Sequence, residues 1–386
     1  APNLRFIEFT EPWFSSKLAD ICEINPKSEA LPNSFIYIDL ESVANGQLLK
    51  QDVLLRDEAP SRAQRVLSKN DVLFQMVRPY QKNNLFFDMD GKYVASTGYA
   101  QIRTEQNSKF VFQLLHNQKF VDNVIERCTG TSYPAINSTD LGNINISYPS
   151  LLEQTKIASF LSLIDERIIT QIKIIEQLET QMLGLQEKIF KQKIRFKSSS
   201  GKGFQMWKLK KGGELFESIS NKNHNSDLPI LAITQDKGAV PRDLIDYQIT
   251  VTERSIETYK VVEIGDFIIS LRSFQGGIEH SNYKGICSPA YIILKNKVQI
   301  ATDFYKYYFK TLNYIKLLNK KLEGIRDGKM ISYSYFADIF LPFPELEEQT
   351  KIASFLSKID EKIQTEKAIL EQFKQQKKYL LQQMFV

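Results

Sequence analysis

The sequence predicts an α+β protein: two mixed α/β globular domains joined by two long helices that form an antiparallel coiled coil, with pseudo-twofold symmetry. Three observations carry this. EQTKIASFLSLIDERI at 153–168 returns as EQTKIASFLSKIDEKI at 348–363, with only two of sixteen positions changed. Apolar residues then run at alternating steps of four and three after each copy. Before each copy, the same order of strand-like and helix-like segments recurs. A period of 195 residues is far too long for a solenoid and means one large unit duplicated.

The long helices have the strongest signal. From Ile157 the seam runs Leu161, Ile164, Ile168, Gln171, Ile175, Leu178, Met182, Leu185, Ile189. From Ile352 it runs Leu356, Ile359, Ile363, Glu366, Leu370, Phe373, Lys377, Leu380, Met384. Spacing of 3.5 residues held over four heptads argues for a coiled coil. Forty-odd helical residues make a rod of roughly 60 Å. One polar residue, Gln171 or Glu366, interrupts each seam at the same repeat position. It either fixes register or faces solvent on a slightly rotated stripe.

The globular parts align as well. Trp13 or Trp207 comes first, then LADICEI (18–24) or ELFESI (214–219). KNDVLFQMVRPYQ (69–81) and IGDFIISLRSFQ (264–275) each read as strand then loop, the strand or its turn opening at Asp71 or Asp266. YVASTGYAQI (93–102) and GICSPAYIIL (285–294) read as strands. Residues 109–130 and 303–324 read as single helices stopped by Gly130 and Gly324. Leu4-Arg5-Phe6 before Trp13 matches Ile194-Arg195-Phe196 before Trp207. The N-terminus therefore reads as the tail of a second long helix, and the two termini are expected to meet. KSSSGKG (197–203) is the expected flexible joint. The resulting division is 1–150 and 198–345 for the two globular domains, with helical spacers at 151–197 and 346–386.

Composition narrows the function. The chain has 386 residues, 42% hydrophobic and 25% charged, a net charge of +5 and a pI near 8.8. Such a balance is that of a globular protein with a mildly basic surface, compatible with a polyanionic partner. Cys22, Cys128 and Cys287 form no CxxC pair, so neither a zinc site nor a disulfide framework is expected. The expected compartment is the cytoplasm: the first residues do not pattern as a signal peptide, and no uncharged run is long enough to span a membrane.

Catalytic motifs are missing. There is no GxxxxGK[ST], GxGxxG or HExxH, and the three histidines are not at ligand spacing. What recurs suits nucleic acid. Arg78-Pro-Tyr80-Gln81, followed by Lys82, and Arg272-Ser273-Phe274-Gln275 each place a guanidinium, a ring and an amide on one loop. Arg can bridge guanine O6 and N7, and Gln adenine N6 and N7. The loops at 131–138, with Thr131, Ser132 and Tyr133, and at 325–335, with Arg326, Lys329 and Ser332, add hydroxyl, amide, aromatic and cationic groups. Lysines dense in the second copy would hold phosphates without reading sequence.

These residues resemble the specificity subunit of Type I restriction-modification enzymes. The resemblance rests on PSLLEQTKIASFLSLID (149–165) and PELEEQTKIASFLSKID (344–360), GDFIISLRSFQGGI (265–278), the STGYA/SPAYI pair and the repeated LRF…W entry. It implies two target-recognition domains, each reading half of a split sequence in double-stranded DNA. It implies partners too: two methyltransferase subunits carrying S-adenosylmethionine, and two restriction/translocase subunits using ATP and Mg. The chain itself would hold no cofactor, no metal and no catalytic residue. Gln154, Lys156, Gln349 and Lys351 are the candidate partner-docking residues. Other readings are a coiled-coil scaffold for proteins, a sequence-blind DNA binder, and the recognition part of a single-chain enzyme. The last would need a methyltransferase motif such as NPPY, which the sequence lacks.

Overall fold

The computed structural model describes residues 2–28, 30–224, 227–235, 237–245, 256–320 and 331–386. The chain forms two compact units, Ala1–Lys173 with Lys367–Val386, and Ile174–Glu366. The long helices are Leu151–Phe190 and Leu346–Met384, of 40 and 39 residues. Each gives its first half to one unit and its second half to the other.

The first unit is built around the strand Val72–Gln75. It lies in an antiparallel sheet between Tyr99–Thr104 and Leu85–Phe86, with Cys22–Ile24 at the far edge. Successive side chains leave a strand on opposite faces. Val72 and Phe74 enter a core with Phe110, Ile157 and Leu161, while Leu73 enters a second core with Ile38 and Tyr99. Two covered faces explain why this strand reads as an unbroken apolar run. A second four-stranded sheet orders Val53–Leu55, Ser34–Ile38, Tyr93–Ser96 and Ala63–Val66.

The second unit repeats the plan. Phe267–Ile269 pairs with Ile292–Asn296. Phe267 and Ile269 face the core of Phe304, Ile352 and Leu356, and Ile268 faces the other way towards Leu231 and Cys287.

Both seams are as the periodicity predicts. Every assigned position is buried or half-buried, and Gln171 is only 7% exposed. A residue so enclosed belongs to the seam and is not on a rotated, solvent-facing stripe. Within the first unit, Trp13 donates its indole N–H to Glu153 at the start of one helix, 3.3 Å. Its ring lies 6.4 Å from Phe385, just past the end of the other. Start meets end, so the paired half-helices run antiparallel. Trp207 does the same in the second unit, with Glu348 at 2.8 Å and the Phe190 ring at 6.5 Å.

Three expectations need correction. The stretches 109–130 and 303–324 are not single helices. Ser108–Leu114 is followed by Gln118–Ile125, and Thr302–Tyr308 by Leu312–Asn319. The breaks fall where Asn117 and Thr311 accept the backbone N–H groups of Lys119 and Tyr314. A side-chain cap competes with helix continuation and starts a new helix. Gly130 lies in the loop beyond, and Gly324 is outside the described residues.

Second, Leu4–Phe6 and Ile194–Phe196 are not helical. The first long helix closes with a reversal in which the Gln192 N–H bonds the Ile189 carbonyl and the Lys193 N–H the Lys188 carbonyl. Gln192, at φ 55°, takes the left-handed position of a Schellman cap. The termini do meet: Leu4 N–H donates to Gln383 O at 2.9 Å, as Ile194 N–H donates to Lys188 O at 3.2 Å. Third, 197–203 is a closed turn. Ser198 N–H bonds Lys202 O, and Ser199 bonds the Glu347 carboxylate through both its N–H and its hydroxyl.

Candidate nucleic-acid interface

Two loops foreseen separately come together in the first unit. Arg78 N–H donates to Pro134 O at 2.7 Å, and Ile136 N–H to Met76 O at 3.1 Å. The Arg78 guanidinium lies over the Tyr133 ring, 4.1 Å from its centroid. Tyr80 and Tyr133 are 50% and 65% exposed, and Gln81, Thr131 and Ser132 are exposed. Two further segments join this edge that the sequence reading did not single out for binding. Met76 N–H bonds Gly98 O, and Thr97 N–H bonds Arg62 O. The repeated STGYA motif was the available signal: it forms the turn between Tyr93–Ser96 and Tyr99–Thr104, and its backbone spaces the loops.

Lys82 belongs elsewhere. It is half-buried, and its ammonium donates to His116 O (3.1 Å) and Gln118 Oε1 (2.8 Å). Burial pushes its pKa down, the Asp122 carboxylate only partly opposing this. Lys82 therefore pins the turn to the helix pair Ser108–Leu114/Gln118–Ile125 and is spent there, not presented beside Arg78 and Tyr133.

In the second unit Arg272 and Gln275 are exposed on the short helical turn Ser273–Gly276. Ser273 is 1% exposed and its hydroxyl accepts the Ser270 N–H at 2.8 Å, so its polar group is turned inward. Phe274 packs against the core. Ser332 is exposed and caps Tyr333–Asp338 by accepting the Tyr335 N–H. Arg326 and Lys329 lie outside the described residues.

The helix–domain joint accounts for most of the repeated decapeptide. Arg5 holds Glu153 by two bonds, Nε to Oε1 and Nη2 to Oε2, both 2.8 Å. Arg195 holds Glu348 at 2.9 and 3.0 Å. Both glutamate side chains are 1% exposed. Gln154, fully buried, donates to Pro149 O (2.9 Å) and Gln106 Oε1 (2.8 Å) and accepts from Asn107 N–H. Gln349 donates to Pro344 O at 2.8 Å and accepts from Ala301 N–H at 3.0 Å. These two glutamines are thus joint residues, enclosed by neighbours distant in sequence, and not docking surface. Lys156 and Lys351 do reach the surface, Lys156 beside Glu8 and 4.9 Å over the Phe6 ring, Lys351 bonded to Lys197 O and Glu347.

Asp71 and Asp266 open their strands as turn residues, accepting the N–H of Ser68 and Glu263. Asp71 also pairs with Arg103 at 2.8 Å. Asp266 has no such bonded cation among the described residues, and burial pushes its pKa up to about 6. Cys22 and Cys287 are buried, which pushes their thiols up to about 11 and about 12. Among the described residues, no group of His, Cys, Asp and Glu could hold a metal ion, and no helix is long and apolar enough to cross a membrane.

The comparisons with known proteins agree with this architecture. The family model for the Type I restriction modification DNA specificity domain matches twice, at 10–180 and 205–375. The Type I restriction enzyme MjaVIII specificity subunit of Methanocaldococcus jannaschii is 26% identical, over 92% of this chain and 85% of that protein. The putative MjaX specificity subunit of the same organism is 27% identical, over 64% of this chain and 60% of that protein. The fold is shared with the Type I S subunit from M. genitalium, at 16% identity, with 100% and 99% of the chains covered and a TM-score of 0.60. It is also shared with a chain from structural work on complex assembly in the type I R-M system, at 22% identity, with 96% and 97% covered and a TM-score of 0.56. With one family model matched by each half, the chain belongs to the Type I restriction-modification DNA specificity family, whose members are non-catalytic DNA-recognition subunits, and it carries the specificity domain twice.

Proposed function

We propose that each domain, 1–150 and 198–345, reads one half of a split duplex DNA target, and that the long helices within the spacers 151–197 and 346–386 set the distance between the halves. The observation that carries this is the contrast between joint and loop. The Arg–Glu–Trp–Gln joint is the same in both units, while the exposed loops at 78–82 and 272–275 differ in backbone, side chain and contacts. A repeated mount carrying unlike tips is what two different half-sites require.

The helices also dock partners in this reading. Burial accounts for Glu153, Gln154, Ile157, Ala158 and Leu161 in the repeat, but Ser159 and Phe160 are exposed, as are their equals Ser354 and Phe355. Identical exposed side chains beside Lys156 and Lys351 suit two copies of one partner. That partner is a methyltransferase subunit supplying S-adenosylmethionine. Two restriction/translocase subunits supplying ATP and Mg complete the cytoplasmic complex.

Modified-base sequencing of host DNA, with and without this chain beside its methyltransferase partner, tests the reading. A split motif methylated only when the chain is present is the expected result. Methylation that is indifferent to the chain would favour a protein scaffold, and binding that is salt-sensitive but sequence-blind would leave a DNA binder without readers.

A further inference from the structure

Arg78 is unusual in three ways at once. It is a non-glycine residue in left-handed backbone, at φ 53° and ψ 54°. Its Nε is buried without a hydrogen-bond partner. Its guanidinium meets no carboxylate and no acceptor among the described residues, and lies over the Tyr133 ring. Left-handed backbone is strained at a residue with a Cβ. Here it aims the side chain across to the second loop, where the Arg78 N–H to Pro134 O bond fixes the approach. Gly130, at φ +89°, shapes that loop from the other side: a Cβ there would stand 3.3 Å from Tyr133 O.

The consequence is a planar fork, oriented by an exposed ring, with its donors unspent. An arginine held flat and unpaired at an exposed edge is prepared for an external acceptor pair. Two parallel acceptors occur on the major-groove edge of guanine, at O6 and N7, and also on a phosphate. The surroundings favour the base. Tyr80, Gln81, Thr131, Ser132 and Tyr133 are all uncharged, Lys82, the neighbouring cation of the turn, is spent on His116 and Gln118, and the exposed Arg62 belongs to the adjoining segment beyond Thr97. A phosphate takes the same fork, but phosphate contacts draw on clustered cations. A base edge needs the plane.

We propose that Arg78 reads a guanine in the half-site of the first domain and that Tyr133 is its positioning residue, holding the guanidinium in the plane of the base. This rests on the proposed function above and deepens it. Arg272 is exposed, has ordinary φ of −107° and meets no stacked ring among the described residues, so the arrangement of Arg78 and Tyr133 is not repeated there.

The test is modified-base sequencing of a host that expresses the chain with its methyltransferase partner, for wild type, Arg78→Asn, Tyr133→Phe and Tyr133→Ala. Asn tolerates left-handed backbone, so Arg78→Asn removes the fork while sparing the fold. Tyr133 is 65% exposed, so its removal spares the core. The expected result is relaxation at one G·C position of one half-site in Arg78→Asn and Tyr133→Ala, losing roughly 5- to 150-fold discrimination. The other half-site keeps its sequence, and Tyr133→Phe behaves as wild type. A uniform fall in methylation with every position intact would show a phosphate contact and overturn the proposal. So would relaxation at an A·T position. A wild type that yields no split motif at all would instead overturn the two-reader function itself.

Discussion

Arg5 and Glu153, 148 residues apart, form a two-pronged ion pair that Trp13 completes, and Arg195 with Glu348 and Trp207 reproduces it. The pair fastens the entry of each globular part to the first turn of a long helix. A double-mutant cycle on Arg5 and Glu153 is expected to give a favourable coupling of the same sign and similar size as one on Arg195 and Glu348. Thermal unfolding of the four proteins of each cycle measures it. Near-zero coupling in either cycle would mean that the mount rests on apolar packing alone.

Gln154→Ala and Gln349→Ala should each destabilise, although the residue that follows each, Thr155 or Thr350, is exposed. Gln154→Ala orphans the Asn107 N–H and the Pro149 carbonyl, and each buried orphan costs roughly 1–3 kcal/mol. Denaturant melts would show the loss. Lys156→Ala, two residues on, should change stability by less than about 0.5 kcal/mol and report on partner docking through co-purification.

Phe385→Ala should cost about 3–5 kcal/mol. Its ring is 2% exposed and packs edge-to-face on Trp13 and tilted on Phe110, and Phe190 packs edge-to-face on Trp207 and Phe304. Equal losses for Phe190→Ala and Phe385→Ala in calorimetry would show that the two caps are equivalent. A harmless Phe385→Ala would show that the end of the second helix does not hold the first unit.

Asp266→Asn and Asp71→Asn should differ in sign near neutral pH. Burial raises the folded pKa of Asp266 to about 6 from 3.8. The folded state therefore binds the proton more tightly, and this stabilisation is present below about 4 and lost as pH rises through 6. Asp266→Asn keeps an acceptor for the Glu263 N–H and should gain up to about 3 kcal/mol over wild type at pH 8, the difference vanishing near pH 4. Asp71→Asn leaves Arg103 without its carboxylate and should lose stability at pH 8. Paired melts at the two pH values decide it.

The sequence made the helices legible because burial along a rod follows a single period, and all twenty seam positions obey it. The breaks at Asn117 and Thr311 were overlooked because the apolar pattern continues through them, although each cap residue stood in view. Gln154 read as docking surface for a related reason. A polar letter on a helix defaults to solvent, and its enclosure by Gln106 and Asn107 is a tertiary fact. The loops at 78–82 and 131–138 were both singled out, but their meeting was not legible. It depends on Met76 bonding Gly98 and Ile136 across segments that the local pattern cannot pair.

The most direct test of the account is to lengthen both long helices by one heptad, after Lys173 and after Glu366, and to read the methylated motif. Seven residues keep the seam in phase and add about 10 Å, roughly three base pairs of duplex at 3.4 Å each. The account predicts two unchanged half-sites with a spacer about three base pairs longer. An unchanged spacer, or altered half-sites, would contradict the claim that the helices hold two independent readers at a set distance.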